Sequence, residues 1–472
     1  MSGRGTGCLL LLRVDLAFPG TIVRYFSNSQ KNSRDLRPPD LYEYFVDNFW
    51  FKAADLENQR INEPLRGNHK ADVVIVGGGF TGLSSAFHIK EKLPKKKIVL
   101  LEGACCGYGA SGRNGGFCIA TDLLWEEGQV DPETRQRNVT VSFYGLKQIK
   151  KLISHYDVKC DFEENGMLEV ALNEKQALRL EEYSRELRSY GLHSTLIQGK
   201  ELESEIKSPL FIAGLNIPYG ATLNPAKLAR EMKRVVEEAG VEIRERTVVT
   251  RITPGKVNIV DTELGEIRAP ILVVALNAYA HKLGFFNNRV IPISVFQVAT
   301  QPLSAAQWAS IGWGNRQGLS DLRVFFSYSV PSADGRIVMG GSDVKYYAND
   351  LLCSGNDKTV TRRIKEDLFA FFPQLDGLQI EHAWGGTTAY TMGGNPSVGV
   401  MGDHKNIYYG VGLSEGVPST QTSGRIIADL MAGESNEFTN HYIVNRKIPY
   451  AGPKSMRRIF ARGTKWMLKR GQ

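Results

Sequence analysis

The stretch Ala71-Asp72-Val73-Val74-Ile75-Val76-Gly77-Gly78-Gly79-Phe80-Thr81-Gly82 decides the fold. Its apolar half reads as a strand buried on both faces, as in a parallel sheet. Gly77, Gly79 and Gly82 then make a G-x-G-x-x-G turn, residues 83–93 read as a helix stopped by Pro94, and 97–101 as the next strand. Glu102 closes that strand, twenty residues beyond Gly82. Strand, glycine turn, helix, strand and distal carboxylate together predict a dinucleotide-binding βαβ unit. Gly77 permits the sharp turn, Gly79 leaves room for a pyrophosphate, and Gly82 lets helix and strand pack closely. The helix start offers free N–H groups to the anion. Glu102 suits an adenosine ribose and opposes the extra phosphate of NADP.

Outward from this unit the chain alternates between strand and helix patterns. Helices are predicted over 135–155, 174–189, 225–239, 358–372 and 418–431, and strands over 165–172, 241–243, 248–252, 267–276, 293–300, 323–330 and 407–409. This implies an α/β protein: a Rossmann-like parallel-sheet domain with an interleaved, mostly antiparallel α+β substrate domain. The nucleotide domain would comprise 71–125, 215–285 and 385–435, and the substrate domain 126–214 and 286–384. Residues 35–70, with Phe49, Trp50 and Phe51, read as an arm laid across the body, and 436–472 as a basic tail.

The segment Gly107-Tyr108-Gly109-Ala110-Ser111-Gly112-Arg113-Asn114-Gly115-Gly116 adds five glycines beside an Arg and an Asn. Such a loop suits close approach to a large planar cofactor, which favours FAD over NAD. Here the chain resembles the D-amino-acid-oxidase-like family of FAD-dependent oxidoreductases, in its gamma-glutamylputrescine oxidoreductase-like branch. The resemblance covers roughly 70–440, through the two glycine segments, Asn224–Ala229, 275–279, 372–375 and 406–409. It implies that Gly77, Gly79, Phe80, Thr81, Gly82, Glu102, Ser111, Arg113, Asn114 and Gly115 hold FAD. Val248 would contact the adenine, Ala275 and Asn277 would line the crevice, and Gly410, Gly412, Leu413 and Ser414 would approach the flavin ring.

The implied reaction oxidises the C–N bond of a small-molecule amine or amino acid, with oxygen or another electron acceptor taking the electrons. It needs no protein nucleophile. Tyr328, Arg323, Glu415 and Arg113 are the candidate catalytic residues. Arg323 would pair with a substrate carboxylate or sit solvated on a strand. Tyr328 would line the substrate site or fill the core. Arg113 would neutralise reduced flavin or pin its loop. Tyr346, Tyr347 and His382 are further lining candidates. Two departures from the family pattern stand out. The last glycine turn reads Gly412-Leu413-Ser414-Glu415-Gly416 without a His, and Met392-Gly393-Gly394-Asn395-Pro396 lacks a larger or charged residue before Pro. Glu415 would attract a cationic amine or face solvent. Cys105, Cys106 and Cys118 flank the loop and leave covalent flavin attachment open.

Composition narrows the classes. The net charge of +8 over 472 residues is carried by the ends. Residues 1–34 hold five basic and one acidic side chain, and 441–472 hold nine basic and none acidic, leaving 35–440 at −5. A nucleic-acid partner is therefore not expected. The six Cys form no CxxC pair, so no metal site is expected. The basic, Ser-containing leader reads as a mitochondrial matrix presequence, with a cytoplasmic protein as the alternative. The tail, where Trp466, Met467 and Leu468 interleave with Lys and Arg, would touch a membrane surface, a partner or the body. The altered flavin turn keeps a second function class open: a flavoprotein with structural or assembly duties and little catalysis.

Overall fold

A computed structural model describes residues 48–55, 60–126, 128, 130–347, 350–352, 355–413, 416–453 and 457. The leader 1–34, Ser414, Glu415 and the tail residues 454–456 and 458–472 lie outside the described residues.

Two sheets organise the chain. In the first, Ser397–Met401, Ile407–Val411, Ile271–Val274, Val73–Val76, Ile98–Leu101 and Glu242–Arg244 lie side by side in that order. All neighbours run parallel except the Ser397–Met401 edge. Val73–Val76 is fully buried between Ile98–Leu101 and Ile271–Val274, both supplied later in the chain, so the strand order reverses direction at this strand. That reversal of direction opens a crevice at the carboxyl ends of the strands, directly above the glycine turn.

The second sheet has eight strands: Ile380–Thr391, Val290–Thr300, Ile337–Gly341, Ser327–Pro331, Gly318–Asp321, Met167–Ala171, Ala213–Ile217 and Thr195–Gln198. It is antiparallel except between Gly318–Asp321 and Met167–Ala171. The α/β architecture with an interleaved α+β part is thus the observed one. Two smaller sheets join Gly67–Lys70, Gly265–Ala269, Asn258–Thr262 and Val249–Thr253, and Phe117–Ile119 with Gly220–Thr222.

Several elements differ from their sequence reading. The helix predicted from residue 83 starts at Phe80, inside the glycine motif, because Gly79 already adopts the extended N-cap conformation. The strand predicted over 267–276 is two strands, Gly265–Ala269 and Ile271–Val274, in different sheets. Pro270 between them has no N–H to continue a ladder. Ala213–Ile217 and all of Ile380–Thr391 belong to the eight-stranded sheet, so that sheet extends past the boundaries at 214 and 384. The Pro132–Tyr156 helix, assigned by sequence to the substrate half, packs Val141, Leu146, Ile149 and Leu152 into the nucleotide-half core. A helical stripe shows that a helix is amphipathic but not which core it faces.

The arm and tail are tied to the body. Phe49, Trp50 and Phe51 are buried with Tyr108, Ala226 and Trp384. Arg457 is 3% exposed and pairs with Asp350, itself 1% exposed, at 2.9 Å. This basic tail residue therefore faces the protein and not a membrane. Among the described residues, no helix is long and apolar enough to cross a membrane.

Candidate active site

The glycine motif is held by contacts that exclude any side chain. A Cβ on Gly82 would lie 1.9 Å from the Gly77 carbonyl oxygen, and one on Gly79 would lie 2.8 Å from Ser111 Oγ. Gly77 has φ +111°, and its Cβ would meet the Ala275 carbonyl oxygen at 2.4 Å. Gly79 brings no side-chain cap to the Phe80–Lys92 helix, and the Phe80 N–H donates to Ser111 Oγ at 2.9 Å. The first turn thus remains open to an anion.

Glu102 stands beside this turn. Its carboxylate accepts from the N–H groups of Gly78 at 2.7 Å and Ala104 at 2.9 Å. Desolvation pushes its carboxyl up to about 7, against those two hydrogen bonds. Val248 flanks Glu102, with Cγ2 3.8 Å from the position of a Cβ on Gly103.

The second glycine loop is pinned from outside. The Asn114 carbonyl accepts from Trp50 Nε1 at 2.9 Å. The Arg113 carbonyl accepts from Gln297 Nε2 at 2.8 Å and Trp384 Nε1 at 3.0 Å. Asn114 folds its own side chain back on the loop, donating to Ser111 and accepting from Gly116. Arg113 is buried, donates to the carbonyls of Tyr108 and Gly385, and lies over the Phe51 and Tyr108 rings at 4.9 Å. It pins the loop, the simpler of its two sequence readings. The sequence reading placed Trp50 in the arm, but the holding roles of Trp50, Gln297 and Trp384 escaped it. Their targets are carbonyls up to 271 positions away, which no local motif encodes.

These segments enclose a cavity of ≈ 260 Å³ between the two sheets. Gly79, Phe80, Thr81, Ser111, Arg113, Asn114, Gly115, Ala275, Asn277, Gly410 and Leu413 line it, and so does Tyr328 from the eight-stranded sheet. Gly77, Gly82, Glu102, Val248 and Gly412 lie outside its immediate walls, along the turns that shape it. Gly410 keeps the floor low, because a Cβ there would meet Thr81 Cγ2 at 2.9 Å, and Gly412 adopts φ +75°. Tyr328 packs edge-on against Phe117 with ring centroids 5.6 Å apart, and desolvation raises its phenol. The Met392–Pro396 departure forms a tight turn, with Gly393 and Gly394 both at positive φ.

Arg323 requires correction as a substrate-carboxylate partner. It pairs with Asp321 at 2.6 Å and with Asp367 at 2.9 Å, and it is absent from the cavity wall. Asp321 is buried, so its charge demands a permanent counter-ion. Tyr346 and Tyr347 likewise turn to Asp350 and Asp357. Cys105, Cys106, Cys118 and Cys160 are free and buried, and burial raises all four thiols, which keeps them protonated.

FAD fits this site on two observations. The glycine turns form cradles that a Cβ would fill, and Asn277 Oδ1 is buried in the crevice wall without a hydrogen-bond partner.

Comparison with known proteins agrees with this geometry. The family model DAO, FAD dependent oxidoreductase, matches residues 72–430. Gamma-glutamylputrescine oxidoreductase of Escherichia coli (strain K12) is 31% identical over 422 residues, covering 86% of this chain and 94% of that protein. The crystal structure of glycine oxidase from Geobacillus kaustophilus superposes with a TM-score of 0.69 at 19% identity, covering 81% of this chain and 100% of that one. L-proline dehydrogenase from P. horikoshii gives a TM-score of 0.66 at 20% identity, covering 78% and 95%.

Proposed function

Because the chain belongs to the DAO family of FAD-dependent oxidoreductases, we propose that its inter-sheet cavity is where an amine or amino acid loses hydride. The carrying observation is the continuity of that cavity. One wall is made by the dinucleotide turns, the other by the eight-stranded sheet.

The cofactor is FAD, which supplies a two-electron acceptor for the hydride leaving the carbon beside nitrogen. The chain's own residues bind and orient. Gly77, Gly79 and Gly82 bring backbone to the pyrophosphate, and the Phe80–Lys92 helix start faces its charge. Glu102, with Val248 beside it, receives the adenosine end. Asn277 offers its unpaired Oδ1 inside the crevice. Gly410, Gly412 and Leu413 lead into the Val417–Met431 helix, whose first turn favours negative charge accumulating nearby.

On the substrate side, Tyr328 and Phe117 form an apolar wall that excludes water and holds the reacting carbon in place. Tyr328 remains a neutral phenol, able to donate one hydrogen bond. No side-chain nucleophile is needed. The oxidised product is an imine, which water converts to a carbonyl compound and an amine or ammonia, while oxygen or another acceptor restores the enzyme.

Trapping the carbonyl product tests this reading. Holoprotein turning over an amine should release one carbonyl per two electrons passed to the acceptor, measured with a hydrazine reagent. Electron transfer without carbonyl release would contradict it.

A further inference from the structure

Gln297 and Tyr328 share one row of the eight-stranded sheet. Gln297 pairs with Gly340, and Gly340 pairs with Tyr328 on the next strand. Paired residues project from the same face, and both Gln297 and Tyr328 line the cavity. Their strands lie two spacings apart, about 10 Å. The phenol crosses that gap because Gly340 has no side chain: a Cβ there would meet Tyr328 Cζ and Oη at 2.5 Å. The ring also lies on Gly115 of the second glycine loop, where a Cβ would meet Cε2 at 2.6 Å. These two glycines let the phenol lie along the row toward Gln297.

Gln297 is fixed from the loop side. It is 2% exposed, and its Nε2 donates to the Arg113 carbonyl at 2.8 Å. A carbonyl oxygen only accepts, so the side-chain amide cannot turn over without losing that bond. Nε2 carries a second hydrogen. Burial raises the Tyr328 phenol, and a hydrogen bond from the Gln297 side chain opposes that rise, the direction given by an N–H aimed at the phenol oxygen. A hydroxyl that accepts such an N–H keeps its own proton for another partner.

We propose that Gln297 is a positioning residue for Tyr328: its amide bridges the Arg113 carbonyl and the Tyr328 hydroxyl, and so turns the phenol proton into the cavity, toward a lone pair of the bound substrate. One side chain then holds the substrate wall in register with the loop that receives FAD. The loop itself keeps other holds, since Trp384 Nε1 donates to the same Arg113 carbonyl and Trp50 Nε1 to that of Asn114. Loss of Gln297 should therefore disturb Tyr328 and spare FAD binding. The inference rests on the C–N oxidation proposed above and adds the residue that orients its substrate wall.

The test uses holoprotein whose tyrosines carry carbon-13 at Cζ, and reads the Tyr328 resonance, identified by its loss in Tyr328→Phe. Gln297→Met, similar in shape but without amide hydrogens, should shift that resonance with flavin absorbance per protein unchanged. Gly340→Ala should shift it too, because only the far end of the phenol must move, and it serves if Gln297→Met fails to fold. Anaerobic flavin reduction by the best compound of an amine and amino-acid panel should slow about tenfold or more in Gln297→Met and in Tyr328→Phe. The double variant should be no slower than the slower single variant, because the two residues act as one unit. An unshifted resonance, unslowed reduction in Gln297→Met, or losses that multiply in the double variant overturns the proposal and leaves C–N oxidation standing. A shifted resonance in protein whose flavin no compound reduces overturns C–N oxidation and leaves the Gln297–Tyr328 contact standing.

Discussion

Arg323 shows how a single side chain divides between chemistry and architecture. Its guanidinium bridges Asp321, which is buried, and Asp367, and Ser327 Oγ donates to the same Asp367. Replacing it by Met strands the Asp321 charge, so Arg323→Met should cost about 3–5 kcal/mol of stability. Denaturant unfolding would register that loss, while the Kd for substrate in the surviving folded fraction should hold. The sequence made Arg323 a site candidate because nothing local marks Asp321 as buried, and its second partner, Asp367, lies 44 positions away. Glu102 was legible because its distance from the glycine turn is fixed by one helix and one strand. His441 was not singled out. It is 2% exposed, and burial, with Arg137 nearby, pushes its imidazole down to about 3 from 6.5. Above pH 6.5 the unfolded chain carries a neutral imidazole too, so nothing is lost. Below it the unfolded chain takes up a proton that the folded chain refuses, so stability falls as pH drops from 6.5 toward 3. The His441→Phe variant should show a shallower fall of melting temperature across that window, and an unchanged slope would reject the assignment.

At the scale of elements, the Val73–Val76 strand, the glycine turn and the Phe80–Lys92 helix act as one unit. A methyl on Gly82 would meet the Gly77 carbonyl oxygen at 1.9 Å, so the helix must move off the turn that receives the pyrophosphate. Overpacking of this kind costs about 1–3 kcal/mol. Gly82→Ala should therefore fold less stably and purify with little flavin, read as the loss of absorbance near 450 nm relative to protein. This unit was readable because its pattern is local. The fate of 267–276 was not. An almost continuous apolar run conceals that Pro270 hands the chain from one sheet to another. The Pro132–Tyr156 helix had a readable stripe, but its packing partner, the Val417–Met431 helix, comes from the far end of the chain. The aromatic arm was recognised as lying across the body. Its specific work, Trp50 donating to the Asn114 carbonyl, depends on how two distant segments meet.

For the whole molecule, the two sheets face each other across one cavity, and each supplies half of what the reaction needs. The dinucleotide turns present backbone to FAD, and the eight-stranded sheet with the 117–125 segment supplies the substrate wall. The interleaving makes this arrangement hard to lose, since the chain crosses between the halves several times and the Arg457–Asp350 pair ties the start of the tail to the body. The net charge of +8 is not the charge of the cavity, whose described wall carries three carboxylates and one committed arginine. The central claim is that this cavity passes hydride from an amine or amino acid to bound FAD. Anaerobic titration of the holoprotein with a panel of amines and amino acids tests it most directly. The account predicts that at least one compound bleaches the oxidised flavin band completely, with one equivalent oxidised per flavin. A band left unchanged by every amine and amino acid, in protein that dithionite reduces normally, would contradict it.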